Sequence, residues 1–422
     1  MMGPFIINNM KKYNVIISPH IKSNDIKINI LGSKSYTNRA ILIASISNGT
    51  SKISNLLRSD DTKYMILALQ NLGVNIVDNH DFLIIEGNNG VFKNIIKKEL
   101  FCGISGTTSR FLTGLSVLIN QDIKITGENK ILTRPINDLV SAIKNMGAKI
   151  EYNKIEGSLP ITIYGDKNII NTVNINGKTS SQFISALLMI APRLSDGLII
   201  NVDGDQVSKS YIDITIDVMK FFGIIVMNDN YKKYTIKNQE YQAQNYIVEG
   251  DWSSASYFFG AQKLLQNNIK INNINNNSIQ GDVKFINILK NFSDKEINME
   301  QMPDTAMTVM VLAAIIRKKT IIVGLSTLKN KECDRIEVSK QELEKFGIKC
   351  KTTKNSIIIY GQTFNNKDII EVETHEDHRV AMAFSLIGTQ RKILIKNAQV
   401  VNKSFPRYWQ ELEKIINIRY VQ

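Results

Sequence analysis

The sequence predicts a mixed α/β protein built from six similar units. Six times along the 422 residues, a tight polar run of Gly, Ser, Thr or Asp opens into an apolar stretch with helical spacing. Successive openings lie 73, 74, 71, 53 and 73 residues apart, which is too regular for unrelated loops. Between them, short β-rich runs end in glycine, as strands do before tight turns. The openings are marked by Ser33, Gly106, Ser180, Asp251, Asp304 and Asp377.

Each unit is predicted to hold two helices and several strands. The predicted strands cover residues 28–32, 82–87, 122–127, 159–165, 198–204 and 356–361. Further helices are predicted at residues 59–73, 137–148, 212–223 and 335–347, each ending at a glycine suited to a left-handed cap. Polar side chains at the six openings are expected to cap the helices that follow, and such helix starts favour bound anions. Six units most simply make two domains of three units each.

The composition predicts a globular, cytoplasmic protein with a small anionic partner. Hydrophobic residues make up 43% of the chain, and 52 Lys and Arg against 39 Asp and Glu give a formal charge of +13. The lysines are scattered, whereas nucleic-acid binders cluster their basic residues. The three cysteines and four histidines show neither a disulfide framework nor metal-ligand spacing. The N-terminus lacks the apolar core of a signal peptide, and no apolar stretch is long enough to span a membrane.

The first opening, GSKSYTNR, places Lys34, Ser35 and Arg39 at one helix start. Two cations beside unpaired backbone N–H groups suit a carboxylate or a phosphate. The pattern is not a nucleotide-binding Walker loop, because Ser33 separates Gly32 from the lysine. A capped helix with a surface lysine remains the structural alternative.

The next two openings add cations and neutral hydrogen-bond donors. Arg before Pro is held extended, so the guanidinium in LTRPI can point away from its own backbone. Singly, each of these residues fits a structural role such as a helix cap equally well. The residues are Gly106, Thr107, Arg110, Arg134, Ser180, Ser181 and Gln182.

The C-terminal half places carboxylates among cations. Asp304 lies at the mouth of an apolar helix and could be a cap or a positioned base. KECDR, residues 331–335, puts two acids and two bases in five residues, as either a charged site or a solvated helix start. Asp377, His378 and Arg379 precede an almost wholly apolar run, which a solvated charged triplet would not normally do. This last motif favours a functional site.

The ordered set of motifs resembles the 5-enolpyruvylshikimate-3-phosphate synthase family, from about residue 25 to residue 415. The family fold implied is two domains, each of three βαβαββ units, forming an inside-out α/β barrel with the active site in the interdomain cleft. The domains implied are residues 1–32 with 250–422, and residues 33–249. The motifs are GSKSYTNRA, SDDT, GTTSR, TRPI, SSQFISALLMIAP, SKSYIDIT, VEGDWSSASYF, QGD, PDTAMT, KECDRI, DHRVAMAF and NKSFPRYW.

The resemblance implies a transferase of the shikimate pathway, in chorismate and aromatic amino-acid biosynthesis. The family moves the enolpyruvyl group of phosphoenolpyruvate to the 5-hydroxyl of shikimate 3-phosphate and releases phosphate, with no metal or cofactor. The reaction passes through a tetrahedral intermediate. The expected partners are therefore these two small molecules, with no nucleic acid and no membrane, and the expected state is a monomer. Closure of the two domains on the substrates is also expected.

The resemblance also implies residue roles. For catalysis, Asp304 is expected to be the base and Glu332 the acid, with Lys34 as the rival acid. Shikimate 3-phosphate is assigned to Lys34, Ser35, Arg39, Ser180, Ser181, Gln182, Ser208, Tyr211, Asp304 and Lys331. Phosphoenolpyruvate is assigned to Lys34, Gly106, Thr107, Arg134, Gln182, Arg335, His378, Arg379 and Lys403.

Four positions depart from the family pattern without removing a catalytic charge. Ile104 stands where Asn is common, Phe111 and Leu31 where Pro is common, and Thr327 where a substrate-contacting Asn is common. Rival interpretations are a UDP-N-acetylglucosamine enolpyruvyl transferase, a basic nucleic-acid-binding module, an RNA-cyclase-like protein and an inactive homologue. The first is disfavoured because no Cys lies between residues 103 and 332, and the last because the catalytic set is retained.

Overall fold

The computed structural model describes residues 12–19, 26–292, 296–316, 319–361, 364 and 368–422. The chain divides into two compact units, which are larger than the repeated βαβαββ units predicted above. One is Gly32–Glu249, and the other is Gly250–Gln422 with the described residues up to Leu31. Every helix in the described ranges is too short or too polar to cross a bilayer.

Strands and helices alternate along both units. The elements in residues 12–249 are β1 (Asn14–Ser18), β2 (Ile26–Asn29), α1 (Lys34–Ser45), β3 (Asn48–Ser54), α2 (Asp60–Asn71), β4 (Asn75–Asp78), β5 (Phe82–Asn88), β6 (Glu99–Phe101), α3 (Gly106–Leu115), β7 (Ile123–Thr126), α4 (Asn137–Asn145), β8 (Ile150–Tyr152), β9 (Ile161–Ile163), β10 (Thr172–Asn176), α5 (Ser181–Ile190), β11 (Leu198–Asp203), α6 (Lys209–Phe221), β12 (Met227–Asp229), β13 (Lys233–Ile236) and β14 (Asn245–Ile247). Those in residues 250–422 are α7 (Trp252–Leu265), β15 (Ile269–Asn272), α8 (Phe285–Lys290), β16 (Glu296–Asn298), α9 (Ala306–Ile316), β17 (Thr320–Val323), α10 (Arg335–Lys345), β18 (Lys349–Thr352), β19 (Ser356–Tyr360), β20 (Ile370–Val372), α11 (His378–Phe384), β21 (Ile393–Ile395), α12 (Tyr408–Glu413) and β22 (Asn417–Val421).

The sheets repeat one topology. Among the described residues, five four-stranded sheets follow the same order, β6-β7-β9-β8, β10-β11-β13-β12, β14-β3-β5-β4, β16-β17-β19-β18 and β20-β21-β1-β22. In the first of them, β6 and β7 are parallel while β9 is antiparallel to both β7 and β8. A sixth pair, β15 and β2, is parallel. The chain order β6-α3-β7-α4-β8-β9 is the expected βαβαββ unit.

The six predicted openings all lead into helices, namely α1, α3, α5, α7, α9 and α11. All ten residues of α3 and all seven of α11 are buried, including polar ones such as Arg110 and His378. Each unit has its own hydrophobic core, into which these helices pack. The polar residues that begin the helices are therefore held on rigid, buried elements.

Helix ends agree with the sequence better than helix starts. Gly73, Gly147, Gly223 and Gly347 have φ of 86°, 102°, 91° and 84°, the left-handed values predicted for these caps. Element bounds differ from the predicted ones by up to three residues. For example, the strand predicted at 28–32 is β2 and ends at Asn29, and the helix predicted from 212 begins three residues earlier as α6.

The predicted side-chain caps are correct at only some starts. The Ser180 hydroxyl accepts from the N–H of Gln182, and Asp377 caps α11 in the same way. The cap prediction is wrong at Ser33 and Asp251, whose side chains accept no capping bond. The Asp251 carboxylate instead accepts from the hydroxyl of Ser254 at 2.7 Å, and this local hydrogen bond competes with capping of the backbone.

Candidate active site

A first polar cluster lies at the start of α3. Arg110 donates through Nη1 to Oε1 of Gln182, whose Nε2 donates to Oγ1 of Thr107 at 3.2 Å. A Cβ on Gly106 would lie 2.9 Å from Nη1 of Arg134 and 3.1 Å from Nη1 of Arg110. Two guanidinium groups thus lie against the first turn of α3, where unpaired backbone N–H groups and the helix dipole also favour negative charge. The arrangement is a candidate anion site.

Lys34 adjoins this cluster. Its Nζ lies 3.2 Å from Oδ2 of Asp61, and the Asp61 carbonyl accepts from Oγ1 of Thr108 at 3.0 Å. The starts of α1, α2 and α3 are therefore linked through one aspartate. Sequence reasoning did not single out Asp61, although the SDDT motif that contains it was part of the family resemblance.

Arg39 is a buried cation among neutral acceptors. Its side chain is 2% exposed, and it donates to Oγ1 of Thr215 at 2.7 Å and to Oγ of Ser185 at 3.1 Å. Its other described bonds go to the carbonyls of Ser35 and Tyr211. Burial lowers the pKa of Arg39 to about 10, so it stays protonated at neutral pH. None of these acceptors balances the positive charge, which favours an anion nearby.

Two of the predicted serines sit at helix starts with different geometry. Ser180 caps α5, and its oxygen is 3.3 Å from the N–H of Gln182. Ser208 precedes α6 with φ 53° and ψ 47°, a left-handed conformation that costs a residue with a side chain about 1–2 kcal/mol. Such strain is concentrated at ligand-binding positions. Ser181, the first residue of α5, is buried.

A second polar cluster surrounds Arg335, at the start of α10. The guanidinium is 1% exposed and donates to Oδ2 of Asp377 at 2.8 Å, to Oε2 of Glu332 at 2.8 Å and to Oδ1 of Asp304 at 3.3 Å. Burial alone would lower the pKa of Arg335, but the three carboxylates raise it above its ordinary value. One buried cation thus holds the proposed base and the proposed acid in fixed positions.

Asp304 lies two residues before α9 and binds two further cations. Its Oδ2 accepts from Nη2 of Arg379 at 2.9 Å, and its Oδ1 lies 3.5 Å from Nζ of Lys331. Burial lowers the pKa of Lys331, an effect that Asp304 partly offsets. The carboxylate of Asp304 therefore faces three cationic side chains, those of Arg335, Arg379 and Lys331.

The remaining predicted residues of this unit complete the cluster. Nζ of Lys403 donates to Oε1 of Glu332 at 2.6 Å, and His378 begins α11 with its Nδ1 3.7 Å from Oδ1 of Asp377. Asp377 also accepts from the N–H of Arg379 at 2.8 Å. The sequence predicted Asp377 only as a helix cap, and in the structure its carboxylate also accepts from the guanidinium of Arg335.

The arrangement provides cations for anionic ligands and carboxylates for proton transfer. In the described part of the chain, no group of three His, Cys, Asp or Glu side chains is arranged to hold a metal ion.

The structure shows the surroundings of two of the four positions that depart from the family pattern, Phe111 and Thr327. The buried ring of Phe111 lies 5.1 Å from the guanidinium carbon of Arg39, within cation–π range. The hydroxyl of Thr327 is buried and has no hydrogen-bond partner among the residues described.

We predict that Gly106→Ala weakens phosphoenolpyruvate binding with little loss of stability. The new methyl group would press on the tips of Arg134 and Arg110, which can move away, but the anion site would then be distorted. We expect the KM for phosphoenolpyruvate to rise about tenfold, which corresponds to about 1.4 kcal/mol. Gly114→Ala in the same helix is the matched control. Its Cβ would meet the Ala186 carbonyl at 2.9 Å, so it should lower the melting temperature and leave this KM unchanged.

Asp282, a buried carboxyl in the QGD motif, should make stability pH-dependent. Burial, and next the charge of Asp304, raise its pKa from 3.8 to about 7, while its Oδ2 accepts from the hydroxyl of Ser253. A raised folded-state pKa means that the stabilisation is complete below about pH 4 and is lost as the pH rises through 7.

Replacing this carboxyl by an amide should remove the pH dependence, because Asp282→Asn keeps an acceptor for Ser253. Between pH 5 and pH 8, the unfolding free energy of the wild type should fall by up to about 3 kcal/mol more than that of the variant. Urea unfolding at both pH values measures this difference. Parallel pH curves for the two proteins would contradict the prediction.

Comparisons with known proteins match one family over most of the chain. A family model described as EPSP synthase (3-phosphoshikimate 1-carboxyvinyltransferase) matches residues 21–412. The 3-phosphoshikimate 1-carboxyvinyltransferase of Enterobacter sp. (strain 638) is 36% identical over 411 residues, covering 92% of this chain and 96% of the relative. That of Histophilus somni (strain 2336) is 37% identical over 425 residues, covering 94% and 98%.

A solved structure of EPSP synthase from Acinetobacter baumannii has a TM-score of 0.81 at 23% identity, and the alignment covers 97% of this chain and 100% of that one. This likeness confirms the predicted α/β fold class with its repeated units. Together with the family match over residues 21–412, it shows that the chain belongs to the EPSP synthase (3-phosphoshikimate 1-carboxyvinyltransferase) family.

Proposed function

We propose that this protein transfers the enolpyruvyl group of phosphoenolpyruvate to the 5-hydroxyl of shikimate 3-phosphate and releases phosphate, as a step of aromatic biosynthesis. The observation that carries the proposal is the attachment of Asp304 and Glu332 to one buried guanidinium, that of Arg335, beside Arg379 and Lys403. A proton acceptor, a proton donor and cations for an anionic substrate are thereby held together.

The two substrates carry the charge that the clusters are built to accept. Each has a carboxylate and a phosphate group. In the Gly32–Glu249 unit, Arg39 faces neutral acceptors and Arg110 and Arg134 lie at the start of α3, so this unit places several cations at helix starts, where anions are favoured. In the other unit, carboxylates balance the cations, so an incoming anion must compete with them.

This competition couples substrate binding to catalysis. Both oxygens of Glu332 accept from cations, Oε1 from Lys403 and Oε2 from Arg335. When phosphoenolpyruvate draws one of these cations to its own anionic groups, an oxygen of Glu332 is released to act on the substrate. The proposed acid is therefore freed by the substrate that it protonates.

The chemical steps then follow from the residue types. A proton delivered to the methylene carbon of phosphoenolpyruvate makes its central carbon electrophilic, and Asp304 accepts the proton of the attacking 5-hydroxyl. A C–O bond forms between that oxygen and the central carbon, giving a tetrahedral intermediate. The bond from this carbon to the phosphate oxygen then breaks, and the methyl group loses a proton to restore the double bond. Cations such as Lys34 and Arg134 stabilise the phosphate as it leaves.

We also propose that the protein acts as a monomer in the cytoplasm, with no nucleic-acid partner. Its basic residues are dispersed along the sequence, which disfavours a nucleic-acid partner. Sedimentation equilibrium, with and without both substrates, tests the first point.

Phosphate release by the purified protein tests the proposed function. Phosphoenolpyruvate is supplied with shikimate 3-phosphate in one reaction, with UDP-N-acetylglucosamine in a second and alone in a third. Release only in the first reaction, with a product heavier than shikimate 3-phosphate by one enolpyruvyl group, supports the proposal. Release only in the second would change the acceptor, and release in none would remove the proposed activity.

A further inference from the structure

We propose that Glu342, on α10, is a positioning residue that holds the loop bearing Asp377 and thereby fixes Arg335 for phosphoenolpyruvate. The inference rests on the proposed function. The Glu342 carboxylate is 1% exposed and lies seven residues, about two turns, after Arg335 on the same helix. Its Oε1 lies 2.9 Å from Nε2 of His375, and its Oε2 accepts from the N–H of Glu373 at 3.1 Å.

The loop that Glu342 holds has a strained backbone. His375 and Glu376 are consecutive residues with φ of 49° and 56°, the left-handed region that residues with side chains seldom occupy. Such strain persists only where the surrounding contacts fix the backbone. Glu342 supplies two of those contacts, one on each side of the buried Thr374.

The strained loop leads directly to the key carboxylate of the second cluster. Asp377 donates its N–H to the Thr374 carbonyl at 2.8 Å, and its carboxylate accepts from Arg335 and from the N–H of Arg379. A shift of residues 373–376 would therefore move the group that orients both arginines. Glu342 connects this loop to the helix that begins with Arg335, so it fixes the distance between them.

A purely structural role is the alternative, because a buried carboxylate with its partners removed also costs stability. Lys345 provides the control for that alternative. Its Nζ donates to Oε2 of Glu342 at 2.7 Å, but its side chain is 37% exposed and it contacts Glu342 from the solvent side. Lys345→Ala should therefore remove the partly exposed cation that pairs with the buried Glu342 carboxylate, while leaving both loop contacts of that carboxylate in place.

Steady-state kinetics give the first test. Glu342→Ala should raise the KM for phosphoenolpyruvate about tenfold, as expected when a charged group is no longer held in place, and change the KM for shikimate 3-phosphate less than about twofold. Glu342→Gln should recover most of the loss, because its amide oxygen still accepts one loop bond. Lys345→Ala should resemble the wild type in both constants.

Cys333 gives a second readout that does not depend on turnover. Its Sγ lies 3.6 Å from Oδ2 of Asp377, and burial, with Asp377 next, raises the pKa of its thiol. The chain's other two cysteines, Cys102 and Cys350, are buried. If Glu342 holds Asp377 in place, Glu342→Ala should make Cys333 react several-fold faster with a disulfide reagent, while Glu342→Gln and Lys345→Ala keep the wild-type rate. Cys333→Ser identifies the reacting thiol.

His375→Asn keeps the test decisive if Glu342→Ala does not fold. Asn adopts a left-handed φ readily but is too short to replace the imidazole contact. It should raise the KM for phosphoenolpyruvate several-fold, because one of the two loop contacts of Glu342 is then lost. Unchanged KM and unchanged Cys333 reactivity in the folded variants would overturn the inference, as would a loss of kcat that only follows the loss of folded protein. Failure of the proposed function is a separate result, an inactive wild type, and the thiol rates still report on Asp377 in that case.

Discussion

Asp304→Ala is expected to lower kcat by about three to four orders of magnitude. The substitution removes the proposed base for the 5-hydroxyl of shikimate 3-phosphate. It also leaves Lys331, Arg335 and Arg379 without the carboxylate that they share in the present arrangement. Single-turnover measurement of phosphate release with saturating substrates separates this loss from a loss of binding.

Asp304→Asn is the informative companion variant. Its amide oxygen can still accept from Arg379, so the arginines are better held than in the alanine variant, but an amide does not take up the hydroxyl proton. If the base role is correct, both variants lose kcat to a similar degree. Asp196→Ala, at an exposed aspartate, is the control and should be silent. A kcat within tenfold of the wild type in Asp304→Asn would show that proton transfer from the hydroxyl does not depend on Asp304.

The helices and glycine turns were predictable because their signals are local. A polar opening before an apolar run, or a glycine after one, specifies φ, ψ and burial from neighbouring residues alone. All six openings lead into helices, and the four helix-ending glycines have positive φ. The predicted caps at Ser33 and Asp251 are wrong because capping depends on the direction of the side chain, which sequence spacing does not specify. The Asp251 carboxylate, for example, accepts from the hydroxyl of Ser254 instead of from a backbone N–H at the start of the helix.

The pairing of charges was not predictable from the sequence. KECDR offers two cations and two carboxylates within five residues, and nothing local indicates that Arg335 would bind Asp377, 42 residues away. The same holds for Asp61, which binds Lys34, and for Glu342, which binds His375 across 33 residues. Buried cations select whichever carboxylates the tertiary fold brings within reach, so only the residue types and not their partners could be read from the motifs.

Glu332→Gln is expected to lower kcat by about two to four orders of magnitude, as a lost general acid does. The amide is nearly isosteric, so the change tests charge and proton supply more than volume. Because one end of the amide becomes a donor, one of the contacts with Lys403 and Arg335 must also be lost. Glu337→Gln, five residues further along in α10, is the control, since that side chain is 44% exposed and lies 3.6 Å from Lys340.

Turnover in D₂O distinguishes Glu332 from Lys34 as the acid. Protonation of the methylene carbon in D₂O creates a methyl group with one deuterium, and the product keeps that deuterium whenever one of the two hydrogens is lost instead. If Glu332 is the acid, Glu332→Gln slows phosphate release and deuterium uptake by the same factor, because both depend on the same proton transfer. Deuterium uptake into recovered phosphoenolpyruvate at the wild-type rate, with phosphate release still slow, would assign the proton to Lys34. Lys34 lies 3.2 Å from Asp61 and would then depend on it, so Asp61→Asn should slow this deuterium uptake.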